Sequence, residues 1–219
     1  RWTARTVSRI PPRALTLRPS ERLKPMPIYP DKSVGTVSMQ HSSLAMGNRE
    51  ERSMGYRLYV FDLDETLWCA DLQEICPFHG PFQLSGRHLA CCDTATVRLR
   101  RGTRKLLRSI HRTGGICSLA CRADESVCSE LLDIFGIRDL FFHPRYGLME
   151  KGDAILEVLA EIRTSLGIDI RSDEVLFIDD APSNTREARR IGATTLLYGR
   201  DIRNLGELQS LVIRSFKNA

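Results

Sequence analysis

The sequence predicts an α/β domain whose five-stranded parallel sheet is covered by helices on both faces. Three observations support this. Short apolar runs alternate with segments of helical spacing, glycines follow most of the helical segments, and acidic residues follow two of the apolar runs. Strands that alternate with helices of this length are typical of βαβ units. In such sheets the ligand binds at the carboxyl ends of the strands.

Five short apolar runs predict the strands. They are Arg57–Asp62, Ile116–Cys121, Asp139–His143, Glu174–Asp179 and Ala193–Tyr198. Residues 65–101 depart from the alternation and contain several turn-forming residues, among them Pro77, Gly80, Pro81 and Gly86. This segment predicts a small hairpin-like flap over the strand ends.

Five segments with apolar residues three and four apart predict the helices. They are Thr103–Arg112, Asp124–Phe135, Asp153–Leu166, Asn184–Ile191 and Leu205–Ser215. Glycine is a common helix stop signal, and it follows the first four of these segments as Gly114, Gly136, Gly167 and Gly192.

Residues 1–53 predict a basic, mostly disordered extension, and residues 54–219 the folded domain. Six of the ten prolines precede residue 31, and apolar periodicity is weak there. Residues 1–45 contain eight basic and two acidic residues. The whole chain has a net charge of +5, so the remaining residues have a net charge of −1. The extension also has the composition of a mitochondrial transit peptide. A third interpretation is translated upstream sequence, with Met46 or Met54 as the true start.

Composition excludes several classes of protein. No apolar stretch reaches the roughly 18 residues that a membrane-spanning helix needs, so a channel or transporter is excluded. Seven cysteines without a regular spacing argue against a secreted disulfide scaffold. The excess basic charge belongs to the extension, so no nucleic-acid partner is expected. We expect a cytoplasmic monomer without a membrane partner, with a mitochondrial location as the alternative.

Acidic residues follow the first and fourth predicted strands. Asp62 and Asp64 end the first strand, and Asp179 and Asp180 end the fourth. Taken singly, such residues are common in turns and helix caps. Together, in one crevice, they repel one another unless a hard cation such as Mg²⁺, which prefers oxygen ligands, lies between them. Lys151, at a helix start, is placed to offset negative charge near that cation.

This combination resembles the haloacid dehalogenase (HAD) superfamily, and within it the magnesium-dependent phosphatases of the acid-phosphatase type. The resemblance covers about residues 56–215. It rests on Phe61-Asp62-Leu63-Asp64-Glu65-Thr66-Leu67-Trp68, Pro77-Phe78-His79, Arg122, Lys151, Phe177-Ile178-Asp179-Asp180 and Asn184. It implies a HAD-like Rossmannoid three-layer sandwich with a small flap and no cap domain.

The resemblance also implies site residues and their roles. Asp62 would attack phosphorus and form a phosphoaspartate, while Asp64 would protonate the leaving oxygen and then activate water. The Asp62 and Asp179 carboxylates and the backbone carbonyl of Asp64 would hold Mg²⁺. Leu63, between the two aspartates, is counted with the metal-binding residues, and Asp180 would act through water. Lys151 would neutralise phosphoryl charge, and Arg122 would bind phosphate oxygens.

One position departs from the superfamily pattern. The second motif places a Ser or Thr hydroxyl against the phosphoryl group, and the matching residue here is Cys121. A thiol is a weaker hydrogen-bond donor. The sequence therefore leaves open a catalytically weakened phosphatase-like protein that binds phosphorylated ligands.

The spacing of the motifs leaves no room for a cap domain. From Asp64 to Cys121 there are 57 positions, and from Cys121 to Lys151 there are 30. An open site would admit bulky substrates, such as a phosphotyrosine protein or a sugar phosphate. The expected partner is therefore a phosphorylated small molecule or a phosphoprotein.

Other interpretations have less support. Cys76 and His79, with His88, Cys91 and Cys92, have spacings that a zinc site could use. Cys121-Arg122 lacks the spacing of a cysteine phosphatase loop. Phosphatases of RNA polymerase tails share the Asp-Leu-Asp-Glu-Thr-Leu motif, but Trp68, Asp180 and Asn184 favour the magnesium-dependent group. Trp68 and Phe78 are candidates to line the substrate entrance.

Overall fold

A computed structural model describes residues 55–72 and 80–217 of the chain. Its strands are β1 (Leu58–Phe61), β2 (Trp68–Leu72), β3 (Gln83–Leu84), β4 (Leu89–Cys91), β5 (Ala95–Leu99), β6 (Ile116–Cys121), β7 (Arg145–Tyr146), β8 (Val175–Asp179) and β9 (Thr194–Leu197). Its helices are α1 (Thr103–Arg112), α2 (Glu125–Ile134), α3 (Lys151–Leu166), α4 (Pro182–Arg190) and α5 (Leu205–Lys217).

The main sheet is parallel and has the strand order β7-β6-β1-β8-β9. Strand β1 is central, and all of its residues are buried. Parallel strands buried on both faces read as continuous apolar runs, which is the pattern of β1, β6 and β8 in the sequence. The predicted five-stranded parallel sheet is confirmed.

Two layers of helices cover the sheet, because successive strand residues face opposite sides. Tyr59 and Phe61 pack with α1, α2 and α5 in one cluster. Leu58 and Val60 pack with α3 and α4 in the other. The described residues therefore form a three-layer sandwich, as predicted, with a hydrophobic core on each face of the sheet.

The predicted flap is an antiparallel sheet rather than a single hairpin. Strands β2 to β5 pair in the order β2-β5-β4-β3. Trp68 at the start of β2 lies opposite Leu99 at the end of β5, so both ends of this sheet join the main domain close together. Between Cys121 and Lys151 the chain forms α2, a 3₁₀ turn at Arg138–Leu140 and β7.

The third predicted strand, Asp139–His143, is wrong. The chain makes a 3₁₀ turn at Arg138–Leu140, and the edge strand is β7 at Arg145–Tyr146. Phe141 is buried without being part of a strand. A short apolar run does not distinguish a strand from a turn that packs on the core, and this run belongs to such a turn.

Some predicted features lie outside the described residues. They are the extension at residues 1–53, and the segment with Cys76 and Pro77-Phe78-His79. Among the residues that the structure describes, no helix has the length and apolar character needed to cross a membrane.

We expect Phe177→Ala to lower the free energy of unfolding by about 3–5 kcal/mol, because it empties part of a packed core. Phe177 lies on β8 and is fully buried. Urea denaturation followed by circular dichroism measures the effect. Leu148→Ala is the control, since that side chain is 92% exposed, and it should change the free energy by no more than about 0.5 kcal/mol. Equal losses in both variants would contradict the core assignment.

Candidate active site

The carboxyl ends of β1 and β8 bring the predicted acidic residues together. The Asp62 amide donates to the Ile178 carbonyl at 2.9 Å, which continues the pairing of β1 with β8 past the end of β1. Asp179 is the last residue of β8 and is fully buried. Carboxylate oxygens of Asp62, Asp179 and Asp180 lie within 4.8 Å of one another.

Lys151, the first residue of α3, lies among these carboxylates and is 1% exposed. Its Nζ donates to Asp62 Oδ1 at 2.6 Å and to the Ala120 carbonyl at 2.5 Å. Nζ also lies 3.5 Å from Asp179 Oδ2. The ammonium group therefore connects the ends of three strands, β1, β6 and β8.

One ammonium group does not compensate this much buried negative charge. Burial raises the pKa of the Asp62 carboxyl to about 7; Lys151 opposes the shift and Asp179 adds to it. Burial also raises the pKa of Asp179, against the effects of Lys151 and of hydrogen bonds from Ala181 and Asn184. A divalent cation would complete the charge balance. The donors are all carboxylate oxygens, so the site suits Mg²⁺.

Neighbouring groups fix the carboxylates of Asp179 and Asp180. The Asn184 side-chain amide donates to both Asp179 oxygens, at 2.9 and 3.1 Å, and the Ala181 amide donates at 2.8 Å. The Thr66 hydroxyl donates to Asp180 at 3.4 Å. Pro182 begins α4, so Asn184 lies in its first turn and faces the end of β8.

Asp64 is held by the indole of Trp68. Trp68 Nε1 donates to Asp64 Oδ1 at 2.6 Å. Trp68 is 1% exposed and packs beside Phe135, so it is a core residue and not part of a substrate entrance. The Leu63 carbonyl accepts backbone N–H groups of Thr66, Leu67 and Trp68. That carbonyl is therefore used by the turn that places Asp64.

Arg122 belongs to a network that the sequence did not reveal. Its guanidinium donates to both carboxylate oxygens of Glu187, at 2.7 and 2.8 Å, and to Asn184 at 2.8 Å. Glu187 also accepts the Lys151 amide at 2.7 Å. Burial acts to raise the pKa of Glu187, but the Arg122 hydrogen bond and the other partners lower it overall. This network joins the end of β6 to α3 and α4.

Glu187 and Trp68 act at the site through other residues. Trp68 belongs to the motif that carries the family resemblance, but nothing in the sequence shows that its indole holds Asp64. Glu187 lies in an ordinary polar helix, and nothing in its spacing marks it.

Cys121 lies at the end of β6, beside the predicted site, and is 4% exposed. A hydrogen bond with Cys121, together with burial, raises the pKa of the Cys128 thiol above its ordinary range. Asp62 and Asp64 add to that shift. The Cys121 thiol therefore occupies the place where the superfamily pattern has a Ser or Thr hydroxyl.

The zinc interpretation gains no support within residues 55–72 and 80–217. His88 Nδ1 lies 3.1 Å from Arg104. Cys91 and Cys92 instead have the hydroxyls of Thr96 and Thr94 as neighbours. Cys76 and His79 lie outside the described residues.

Comparison with known proteins identifies a matching family and structures with a similar fold. Residues 56–204 match the family model described as Acid Phosphatase. No significant match was found among curated proteins.

Two solved structures with TM-scores of at least 0.50 share the fold at low identity. A Clostridium difficile protein is 15% identical with a TM-score of 0.53, over 72% of this chain and 99% of that chain. A Listeria monocytogenes serotype 4b protein is 19% identical with a TM-score of 0.50, over 73% of this chain and 98% of that one. A HAD-superfamily hydrolase from Ehrlichia chaffeensis is 18% identical with a TM-score of 0.48, over 54% of this chain. This chain spans 60% of that hydrolase.

The raised pKa of Asp62 makes stability depend on pH in metal-free protein. The folded state holds this proton up to about pH 7, whereas an unperturbed carboxyl loses it near 3.8. The folded state therefore binds more protons between these values, so stability falls as pH rises through this window. We expect the free energy of unfolding in EDTA, from urea denaturation, to be higher at pH 5 than at pH 8.

Asp62→Asn removes one of the two carboxyl groups whose pKa is raised, so it should reduce this pH dependence. Asp139→Asn, at an exposed carboxyl, is the matched control and should keep the wild-type slope. The same slope in Asp62→Asn and in wild type would show that Asp62 does not titrate in this range.

Proposed function

Because this chain belongs to the acid phosphatase family of the HAD superfamily, we propose that it is a magnesium-dependent phosphatase that hydrolyses phosphomonoesters. One observation carries this proposal: three carboxylates within 4.8 Å of one another, next to a buried lysine. Such a set is suited to a divalent cation and a transferring phosphoryl group.

Asp62 is the proposed nucleophile. An oxygen of its carboxylate forms a bond to phosphorus while the bond from phosphorus to the ester oxygen breaks. The product is a phosphoaspartate, so one difficult displacement becomes two easier ones. Lys151 holds Asp62 Oδ1 at 2.6 Å, which fixes the carboxylate and leaves its other oxygen for attack.

Asp64 is the proposed general acid and base. It gives a proton to the leaving ester oxygen, then takes one from the water that attacks the phosphoaspartate. The second step breaks the bond between Asp62 and phosphorus, releases phosphate and restores both carboxyl groups. The Trp68 indole, 2.6 Å from Asp64 Oδ1, is the positioning group for this transfer.

Asp62, Asp179 and Asp180 are the side chains that would hold Mg²⁺, together with the backbone carbonyl of Asp64. The cation would offset the negative charge of the phosphoryl oxygens during transfer of the phosphoryl group to Asp62. Asn184 orients Asp179 for this role through both carboxylate oxygens. Lys151 contributes a further positive charge on the side of Asp62.

Cys121 and Arg122 are the remaining proposed substrate-binding residues. Arg122 would bind phosphate oxygens only by exchanging part of its contact with Glu187 and Asn184. It therefore serves first as a positioning residue for Asn184. Cys121 would offer a thiol donor, which is weaker than a hydroxyl.

The proposed substrate is a phosphorylated small molecule, such as a sugar phosphate, or a phosphotyrosine protein. Support comes from the short connection between Cys121 and Lys151, which carries only α2, a turn and β7. We further propose that the protein acts as a monomer in the cytoplasm. A mitochondrial location is the alternative that the basic extension favours.

A second candidate function follows from Cys121. A weakened catalyst that retains phosphorylated ligands is favoured by the thiol at this position, because a thiol is a weaker donor than a hydroxyl.

We expect the full chain to hydrolyse p-nitrophenyl phosphate with Mg²⁺ and to lose this activity in EDTA. Asp62→Asn should lower the rate by at least about a thousandfold, because it removes the nucleophile. Asp139→Asn is the control and should keep the wild-type rate. Release of p-nitrophenol measures all three.

Two results separate the candidates. Full activity in the presence of EDTA, or full activity of the Asp62→Asn variant, would contradict the proposed mechanism. An inactive wild type whose Cys121→Ser variant is active would instead support the weakened, ligand-binding protein.

A further inference from the structure

Basic side chains line a groove on the α1 side of the molecule. It has a cavity volume of about 760 Å³, and its lining includes Arg87, Arg104, Lys105, Arg108 and Arg112. The lining also holds His88 and His111, and no Asp or Glu. A concave surface with this much charge of one sign attracts and concentrates anions.

These five basic residues lack acidic partners. Among the described residues, none of them forms an ion pair with a carboxylate. Arg104 instead donates to the Phe135 carbonyl at 2.6 and 3.0 Å. Burial and then the charges of Arg108 and Arg87 lower its pKa. The cluster therefore repels itself, and a bound anion would relieve that repulsion.

A second basic cavity of about 420 Å³ adjoins the first, because His88 lines both. Arg98, Arg100 and Arg101 line it, again without an Asp or Glu. The two cavities together form an extended basic surface, called here the basic groove.

The basic groove reaches the chain segments that carry the active site. Arg100 donates to the Glu65 carbonyl at 2.8 Å and forms an ion pair with the Glu65 carboxylate at 3.1 Å. Glu65 directly follows Asp64. Tyr198 also lines the second cavity, and its amide donates to the Asp179 carbonyl at 2.9 Å. A ligand in the groove would therefore extend toward the carboxylates at the strand ends.

The chemistry of the groove favours an acidic polypeptide over other anions. Proteins that bind single-stranded nucleic acid stack bases on aromatic faces. Apart from the two imidazoles, Tyr198 is the one aromatic ring in the lining of these cavities, and Arg100 covers it at 4.7 Å. A small polyanion would fill one cavity and leave the other empty. An extended chain with several carboxylates would complement both.

We propose that the basic groove docks an acidic segment of a phosphoprotein substrate while the phosphorylated residue of that substrate enters the active site. This inference rests on the proposed phosphatase function, and it assigns a substrate class to it. Docking of this kind adds binding energy remote from the reacting atoms, so it should lower KM more than it raises kcat.

Direct binding tests the groove without depending on catalysis. The probe is a fluorescein-labelled, unphosphorylated Glu-rich peptide, and fluorescence anisotropy with the full chain reports its Kd. Arg108→Glu should raise Kd by about fivefold or more at low salt, because it reverses a charge in the groove. Arg163→Glu is the matched control. It reverses an exposed charge on α3, which covers the opposite face of the sheet, and should change Kd less than about twofold.

Three binding results would overturn the proposal. One is a failure of the peptide to bind at low salt. Another is an equal loss of affinity in Arg108→Glu and Arg163→Glu. The third is tighter binding of a single-stranded oligonucleotide or of phosphatidylserine vesicles than of the peptide, which would identify a different class of partner.

Kinetics then connect the groove to the active site. A phosphotyrosine peptide with a Glu-rich extension should have a lower KM than the same peptide with a Gln-rich extension. Arg108→Glu should abolish that difference and leave hydrolysis of p-nitrophenyl phosphate unchanged. Equal KM values for the two peptides in wild type would overturn the docking role. Failure to hydrolyse p-nitrophenyl phosphate would instead count against the phosphatase function, and the anisotropy result would still test the groove.

Discussion

The active site depends on the burial of the Lys151 ammonium between Asp62 and Asp179. The three groups come from α3, β1 and β8, and Lys151 also bonds to Ala120 of β6. Removing the Lys151 ammonium costs about 3–5 kcal/mol, because the buried carboxylates then lose the positive charge that partly compensates them. The helix start and the strand ends therefore have to meet in one arrangement. That arrangement also places Asp180, Asn184 and Glu187 around the same point.

The sequence predicted the parts of the site that come directly after buried strands. Asp62 and Asp179 follow continuous apolar runs, and parallel topology alone brings their strand ends to one edge of the sheet. The supporting residues could not be predicted in this way. Glu187 and Trp68 act through contacts that depend on how α4 and the turn after β1 pack. The edge strand β7 was misplaced for a similar reason, since Phe141 is buried by a turn and not by a strand.

The distribution of charge over the folded domain depends on how its elements pack, and the sequence does not show it. Residues 46–219 have a net charge of −1, and this total does not indicate a basic surface on the domain. In the folded protein the acidic residues of the site lie at the strand ends, while Arg and Lys line the groove along α1. A surface divided in this way can draw in a polyanion beside a site that is itself acidic. The cation in the site would then remove the local repulsion of the phosphoryl group.

The three carboxylates beside Lys151 form the proposed divalent cation site. Isothermal titration calorimetry of Mg²⁺ into the full, metal-free chain tests this most directly, with Asp179→Asn as the site variant and Asp139→Asn as the control. We expect saturable binding in wild type and control, and affinity at least about tenfold weaker in Asp179→Asn. No binding in wild type, or unchanged affinity in Asp179→Asn, would contradict it.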